Sequence, residues 1–280
     1  MTTIEPQVSV IIAAYNEEKY IKECLNSILN QTFRAIEVIV VNDGSTDNTL
    51  KFIRSFNDTR IRVISQANKG RVIARNIALQ ESKGKYILLH DADDWSELNR
   101  IELLFKTAQK IKNKPVVGSN YTIHNEIQAV TKVRILLEKN EEIKKRMNRK
   151  IMSQAIFPPA IMIKRKDLLK IGGWREKFDI AAEDGDLLDR LYEDGAYFHN
   201  VQSSLYNYRL NKGSVTNKPD VSIPYQMFKR HCKSVRRKGL TEPDSFNEFL
   251  KIVNKNIVNK LKYKLEYFVW TKFKKLKLTI

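Results

Sequence analysis

The sequence predicts an α/β protein, a mostly parallel central sheet with helices on both faces, followed by a basic helical C-terminal extension. Three observations carry that prediction. Strand-like and helix-like patterns alternate through the first half of the chain, as β-α-β crossovers require. Polar and acidic residues collect where the apolar strand patterns end, and open sheets bind ligands beyond the carboxyl ends of their strands. From about Pro224 onward the pattern turns helical and Lys-rich.

The elements follow in order. "VSVIIAAY" reads as a buried strand, and the helix after it sets Ile21, Leu25, Ile28 and Leu29 at helical spacing. "IEVIVVND" is a second strand, and "STDNTLKFIRSF" a helix opened by the capping candidates Ser45, Thr46 and Asp47. "IRVIS" is a third strand, "NKGRVIARNIALQES" a helix and "YILLHDADD" a fourth strand. Beyond about residue 120 the periodicity weakens. "EKNEEIKKRMNRKIMSQ" is a charged helix, and "FPPAIMIKRKDLLKIGGW" reads as turn, short strand, short helix and Gly-Gly turn. "EDGDLLDRLYEDG" is a helix with Leu187, Leu188 and Leu191 on one side, and "AYFHNVQSSLYNYRL" alternates like a strand. No internal repeat or low-complexity tract interrupts the chain.

Composition narrows the function. The 280 residues hold 50 Lys+Arg against 32 Asp+Glu, a net charge of +18 that points to an anionic partner. Cys24 and Cys232 are far apart and form no metal-ligand spacing, so neither a disulfide framework nor a zinc site is expected. The N-terminus reads as a first strand, not a signal peptide, and no apolar run approaches the roughly 20 residues of a membrane span. The expected location is the cytoplasm, or the inner face of the membrane as a peripheral protein.

Four segments could do chemistry. "ILLHDADDW" ends a buried strand in Asp91, Asp93 and Asp94. Either these are a solvated strand end with a helix cap, or they hold a hard divalent cation through one or two carboxylates, with water and substrate phosphate completing the shell. Their place on the binding edge of the sheet favours the cation. Asp43 leaves a second buried strand, where turn chemistry accounts for Gly44 to Asp47 but not for the acid itself. An acid there would accept from a ribose hydroxyl or a base N–H. In "NKGRVIARN" a helix starting near Gly70 would aim its N–H groups and dipole into the cleft, with Lys69, Arg71 and Arg75 adding charge suited to a diphosphate; the alternative is a plain basic amphipathic helix. In "GGWREKFDIAAEDGDLLDRL" the acids Glu183, Asp184 and Asp186 either favour the helix dipole or supply a general base toward an acceptor hydroxyl. Trp174 belongs to the core or stacks on a sugar.

Taken as an ordered set, "AAYNEE", "VNDGSTD", "NKG...ARN", "DADDW", "GGW" and "EDGDL...RL" resemble the inverting family-2 glycosyltransferases of the GT-A fold over about residues 6–215. The resemblance implies a catalytic domain over 1–220, with a nucleotide-sugar half of about 1–118 and an acceptor half of about 119–220, then the extension 221–280. It implies a metal-dependent, inverting transfer of a sugar from a nucleotide diphosphate sugar, expected to be UDP-linked, to a hydroxyl of a glycan or lipid-linked glycan in cell-surface polysaccharide synthesis. Ala13, Tyr15 and Glu17 would line the nucleotide pocket beside Asp43, with Lys69, Gly70, Arg75, Asp91, Ala92, Trp174 and Arg209 completing the donor site. Asp93, with Asp91, would hold Mn²⁺ or Mg²⁺. Asp184 would be the catalytic base and Glu183 its partner. Three residues depart from the family's usual pattern, Ala78, His90 and Asn211. The last stands where His is common, leaving Arg209 and Lys212 to supply charge.

The tail 246–280 sets Phe249, Ile252, Val253, Ile257, Leu261, Leu265 and Phe268 on one helical face. It would either pack on the catalytic domain or lie on an anionic membrane with Trp270 and Phe273 at the headgroups. The rival functions are a DxD phosphatase acting on a sugar phosphate and a nucleotidyltransferase. The first expects a Thr or Val and a downstream Lys that "DADDWS" does not offer, the second a Gly-rich N-terminal loop that "IIAAYNEE" lacks. No nucleic-acid-binding motif is present, and no nucleic-acid partner is expected.

Overall fold

The structure, a computed structural model, describes residues 5–148, 155–211, 219–255 and Tyr267. The chain resolves into two compact units, Met1–Trp174 with Leu188–Asn211, and Arg175–Leu187 with Lys212–Ile280. The division therefore differs from one at 220/221, because a short segment before 188 joins the C-terminal part.

The first unit is a nine-stranded mixed sheet. Its strands are β1 (Val8–Ala14), β2 (Ile36–Asp43), β3 (Ile61–Gln66), β4 (Tyr86–Leu89), β5 (Trp95–Ser96), β6 (Pro115–Asn125), β7 (Val130–Arg134), β8 (Met162–Lys164) and β9 (Tyr197–Leu210). They lie in the order β3-β2-β1-β4-β8-β6-β9-β5, with β7 paired to β6. The expected parallel arrangement holds for β1 with β2, β2 with β3 and β1 with β4. Beyond β4 the sheet becomes mixed, since β8 pairs antiparallel with both β4 and β6 while β6 runs parallel to β9. β6 crosses residue 118 without interruption, so the two expected halves share a strand.

β1, β2 and β4 are almost wholly buried, as continuous Val/Ile/Leu runs in a sheet covered on both faces should be. Against them pack α1 (Ile21–Leu29), which buries the expected Ile21, Leu25, Ile28 and Leu29, and α4 (Arg100–Lys110), which buries Ile101 and Leu104. Each such side chain taken fully from water contributes about 1.5–3 kcal/mol. Two further helices, α2 (Thr49–Arg54) and α3 (Arg71–Glu81), follow β2 and β3. The charged helix is α5 (Asn140–Met147), its pattern beyond residue 148 lying outside the described residues, and α6 (Arg165–Lys170) follows β8.

The second unit gathers Phe178, Ala182, Ile223, Met227, Phe228, Cys232, Phe249 and Val253 into one apolar cluster. Its helices are α8 (Pro219–Arg237) and α9 (Phe246–Asn254), and the unit boundary at 187/188 falls within α7 (Glu183–Glu193). Ser245 caps α9 by accepting from Glu248 N (3.2 Å), while Glu248 Oε2 accepts from Asp244 N (2.6 Å). Phe249 and Val253 of the tail face this cluster, as a packed helix requires. Ile257, Leu261, Leu265, Phe268, Trp270, Phe273 and Lys212 lie outside the described residues. Among the described residues no helix is long and apolar enough to cross a membrane.

Candidate active site

The carboxyl ends of β1 and β2 are joined by a polar clamp. Asn16, held at φ 57°, donates from its N–H to Ser45 Oγ (3.1 Å) and accepts from Thr46 N at Oδ1 (2.9 Å). Glu17 N donates to Thr49 Oγ1 (2.7 Å), Glu18 N to Asp47 Oδ2 (3.1 Å), and Glu18 Oε2 accepts from Asn48 N (2.9 Å). The "STDNT" run thus ties the two loops together, beyond its expected capping role. Beside this clamp Ala13 is half-buried, and Tyr15 is 47% exposed, an aromatic face open at the strand end.

Asp43 takes a different role from the expected one. It is 3% exposed and accepts from Gln66 Nε2 (2.6 Å) and Lys69 N (2.9 Å) at Oδ1 and from Gly70 N (2.9 Å) at Oδ2. Three protein donors fill most of its acceptor capacity, so its carboxylate braces the turn into α3 and leaves at most one lone pair for a ligand. By the same bonds, the Lys69 and Gly70 N–H groups point at Asp43, not at the cleft. Gly70 (φ 92°) needs its glycine for this turn. So does Gly44 (φ 73°), where a Cβ would sit 2.5 Å from Asn68 N.

β4 stops at Leu89 instead of running on through the acids. His90 turns its Nδ1 onto Asp91 O (2.7 Å), and Asp94 N reaches Asp91 O (3.4 Å), which places the acids in a turn. Because Asp91 O only accepts, Nδ1 carries the proton and Nε2 accepts from Ser96 Oγ (3.0 Å). Burial and then Arg100 hold His90 down at about 3, so the ring is neutral. Arg100, fully buried, donates to Ser96 Oγ (2.8 Å) and Leu89 O (3.0 Å).

The acids divide by their partners. Asp91 is paired with Arg75 Nη2 at 2.7 Å. Asp94, 1% exposed, accepts from Tyr206 Oη (2.6 Å) and from Arg209 N (2.7 Å). Tyr206 Oη accepts in turn from Asp91 N (3.2 Å), so one hydroxyl holds the turn at two points. Asp94 is therefore a buried brace. Asp93 and Glu17 differ, since among the described residues no side chain hydrogen-bonds or ion-pairs with either carboxylate. Burial, then the Asp93, Asp91 and Asp47 charges, push Glu17 up to about 8 despite Arg209. Burial and then Asp91 push Asp93 up to about 6.

Arg209, expected to supply charge to the diphosphate, lies beside Asp93 with its guanidinium bonded to the protein. Nε donates to Asp93 O (2.8 Å), Nη1 to Glu126 (2.8 Å) and Nη2 to Glu23 (2.6 Å), with the plane over Tyr20 and Trp95. Two other expected donor contacts are corrected by burial. Trp174 is 2% exposed, its N–H and C=O bonded to the Asn76 side chain, and its ring 5.8 Å from Arg75, so no face is offered to a sugar. Ala92 is 4% exposed within the main core. Glu183 and Asp184 belong to the second unit, in the first turn of α7. Glu183 is buried and Asp184 half-buried, while Asp186 is bound by Arg175, whose Nε reaches Oδ2 at 2.9 Å.

Sequence reasoning missed Tyr206, Arg100 and the Asn16 clamp. The only signal for the first two was polarity within otherwise apolar strand and helix patterns.

A divalent cation fits this donor set. Two partly buried carboxyl groups without side-chain partners, raised first by burial and then by neighbouring acids, are hard oxygen donors that a cation would return to the ionised form. Among the described residues no three His, Cys, Asp or Glu side chains form a complete ligand cage.

Residues 9–172 match the model of glycosyl transferase family 2. The chain belongs to that family. The chain is 33% identical over 227 residues to glycosyltransferase GlyA of Streptococcus pneumoniae, a match covering 76% of this chain and 32% of GlyA, so it spans about a third of that relative's length. In fold it is similar to S. aureus TarS 1–349 in complex with UDP, with a TM-score of 0.60 and 21% identity over 80% of this chain and 65% of that one. It is likewise similar to the mannosyltransferase PcManGT from Pyrobaculum calidifontis in complex with GDP-Man and Mn²⁺, with a TM-score of 0.60 and 19% identity over 83% and 65%. These neighbours bear out the GT-A architecture, and the family match disfavours the phosphatase and nucleotidyltransferase readings.

Proposed function

We propose that this chain transfers a sugar from a nucleotide diphosphate sugar, UDP-linked, to a hydroxyl of a glycan or lipid-linked glycan, in one inverting displacement. The observation that carries the reading is the pair of unpartnered carboxylates, Glu17 and Asp93, beside the Arg75–Asp91 pair. Arg75 and Arg209 offset these acids only in part, and a Mn²⁺ or Mg²⁺ ion accompanying the donor's diphosphate would supply the remaining positive charge.

Asp93, with Asp91, would hold the cation, which would supply positive charge against the negative charge developing on the leaving diphosphate. Arg75 orients Asp91 and adds positive charge at the same end. Tyr15 offers its exposed ring to the base, with Ala13 beside it. Asp184 accepts the proton of the acceptor hydroxyl as it attacks, and Glu183 orients the acceptor. The TarS complex with UDP supports a uridine donor, whereas the GDP-Man complex keeps the base and sugar a question for experiment.

A thermal-shift screen of nucleoside diphosphates and their sugars, with and without Mn²⁺ or Mg²⁺, tests the reading, because affinity for the native state appears as added stability. A rise for UDP or a UDP-sugar that requires the cation is expected. Equal shifts for every nucleotide, or shifts indifferent to the cation, would overturn it.

A further inference from the structure

The start of β4 lies at the opposite end of the parallel strands from the acidic turn. A groove of about 430 Å³ opens there, lined by Lys83, Gly84, Lys85, Lys164, Arg165 and Lys166. Five of these six are cationic and none is acidic.

The fold builds this groove on a rigid base. The chain enters β4 through Lys83 to Lys85, and β8 leaves antiparallel beside it, with Tyr86 opposite Lys164. Arg165 N donates to Lys85 O (2.9 Å), joining the two rims. The Arg165 guanidinium is aimed by Ser82 Oγ (2.9 Å) and Gln80 O (3.3 Å). Gly84 forms the floor, where a Cβ would lie 2.6 Å from Ser9 N.

The cations are not neutralised from within. Glu37, the carboxylate bonded to this turn, accepts from Ser9 Oγ (2.6 Å) and from the N–H groups of Lys83 (2.6 Å) and Gly84 (3.2 Å). All three bonds fall on Oε1, and among the described residues no hydrogen bond or ion pair joins this carboxylate to a cationic side chain of the groove. Glu81 pairs with Arg62. Among the described residues no acid pairs with the ammonium of Lys83, Lys85 or Lys166, and Lys164 Nζ reaches only Lys112 O (3.4 Å). Five like charges around one groove repel one another unless an anion joins them. A guanidinium fork flanked by ammonium groups suits phosphate oxygens.

We propose that this groove docks the phosphate-bearing headgroup of an anionic lipid and so seats the chain on an anionic membrane surface. The inference stands independently of the active-site reading. Its volume suits one headgroup. No aromatic ring lines it, whereas single-stranded nucleic acids are held on aromatic platforms. A chain of net charge +18 is drawn to an anionic leaflet, and each basic residue near the surface adds to that attraction.

The test is co-sedimentation of the full chain with vesicles of phosphatidylcholine alone or mixed with phosphatidylglycerol. One variant carries Lys83→Gln, Lys85→Gln and Lys166→Gln. A charge-matched control carries Lys51→Gln, Lys132→Gln and Lys139→Gln. All six lysines are exposed, so both variants should melt like wild type. Wild type and control are expected to bind only the anionic vesicles, and the groove variant to bind on the order of a hundredfold more weakly. Lys166→Glu alone should weaken binding in the same direction if the triple variant folds poorly. Equal losses in groove variant and control, no loss in either, or no binding by wild type would overturn the proposal. So would a short oligonucleotide that displaces wild type from the vesicles and itself depends on the groove lysines.

Discussion

Tyr206→Phe removes one oxygen from a ring that is otherwise locked. The ring is fully buried, 5.1 Å from His90, 5.7 Å from Phe157 and 4.6 Å beneath the Arg100 guanidinium, and Phe reproduces all of those contacts. What disappears is the hydroxyl that donates to Asp94 Oδ2 (2.6 Å) and accepts from Asp91 N (3.2 Å). Burial keeps the phenol protonated, so it is a donor throughout the working range. Losing a hydrogen bond to a buried carboxylate costs roughly 1.5–3 kcal/mol, and stranding a backbone N–H adds about 1 kcal/mol. The expected loss is about 2–4 kcal/mol, or on the order of 5–10 °C in Tm for a chain of this size. The assay is thermal melting of wild type, Tyr206→Phe, Asp94→Asn and the double variant, alongside cation-dependent nucleotide affinity. The two singles should be strongly non-additive, because each breaks the same bond. Additive losses, or a Tm within about 1 °C of wild type, would refute the claim that this hydroxyl holds the acidic turn.

Three further outcomes are expected. Asp93→Asn relieves repulsion, so without cation it should melt above wild type at pH 8, where Asp93 (about 6) and Glu17 (about 8) lose the protons that favour the folded state, yet it should show no Mn²⁺-dependent nucleotide shift. Asp184→Asn should keep nucleotide affinity while losing sugar transfer by at least a hundredfold, roughly the lower reach of a general base, as read from product formation. Burial raises Glu242, but hydrogen bonds from Lys177 and Arg236 and the nearby Arg175 outweigh it and hold it at about 2, below its usual 4.5. Its contribution is therefore complete above pH 4.5 and is lost as pH falls toward 2, so Glu242→Gln should cost about 2 kcal/mol in melts at pH 7 and flatten the acid decline.

Much of the fold was legible because burial on both faces leaves a pattern. β1, β2 and their helices followed from unbroken Val/Ile runs and from Ile21, Leu25, Ile28 and Leu29 at helical spacing. The mixed half was harder to read. β8 is three residues long and β5 two, too short for any periodicity, and their positions depend on long-range pairing. The acids at the strand ends were also legible as a group. Which of them do chemistry was not, since "NDGSTD" and "DADDW" do not reveal that Gln66 and the Lys69 and Gly70 amides converge on Asp43, or that Tyr206 crosses 112 positions to Asp94.

That partition has a physical basis that separates structural from chemical acids without reference to any ligand. Asp43 and Asp94 are almost wholly buried, and each collects two or three donors that fix the loop carrying it, although burial and then the Asp93 and Asp91 charges still push the Asp94 carboxyl well above the usual carboxylate range. Glu17 and Asp93 are more accessible and collect none from neighbouring side chains, so their charge is held at a cost to the folded chain. Asp94 fixes the turn because Tyr206 and Arg209 donate to it, while the Asp93 carboxylate meets its own backbone N–H and no side-chain donor. Under the proposed function, Asp93 would meet an incoming cation with no side-chain partner to displace, whereas Asp91 would meet it already oriented by Arg75.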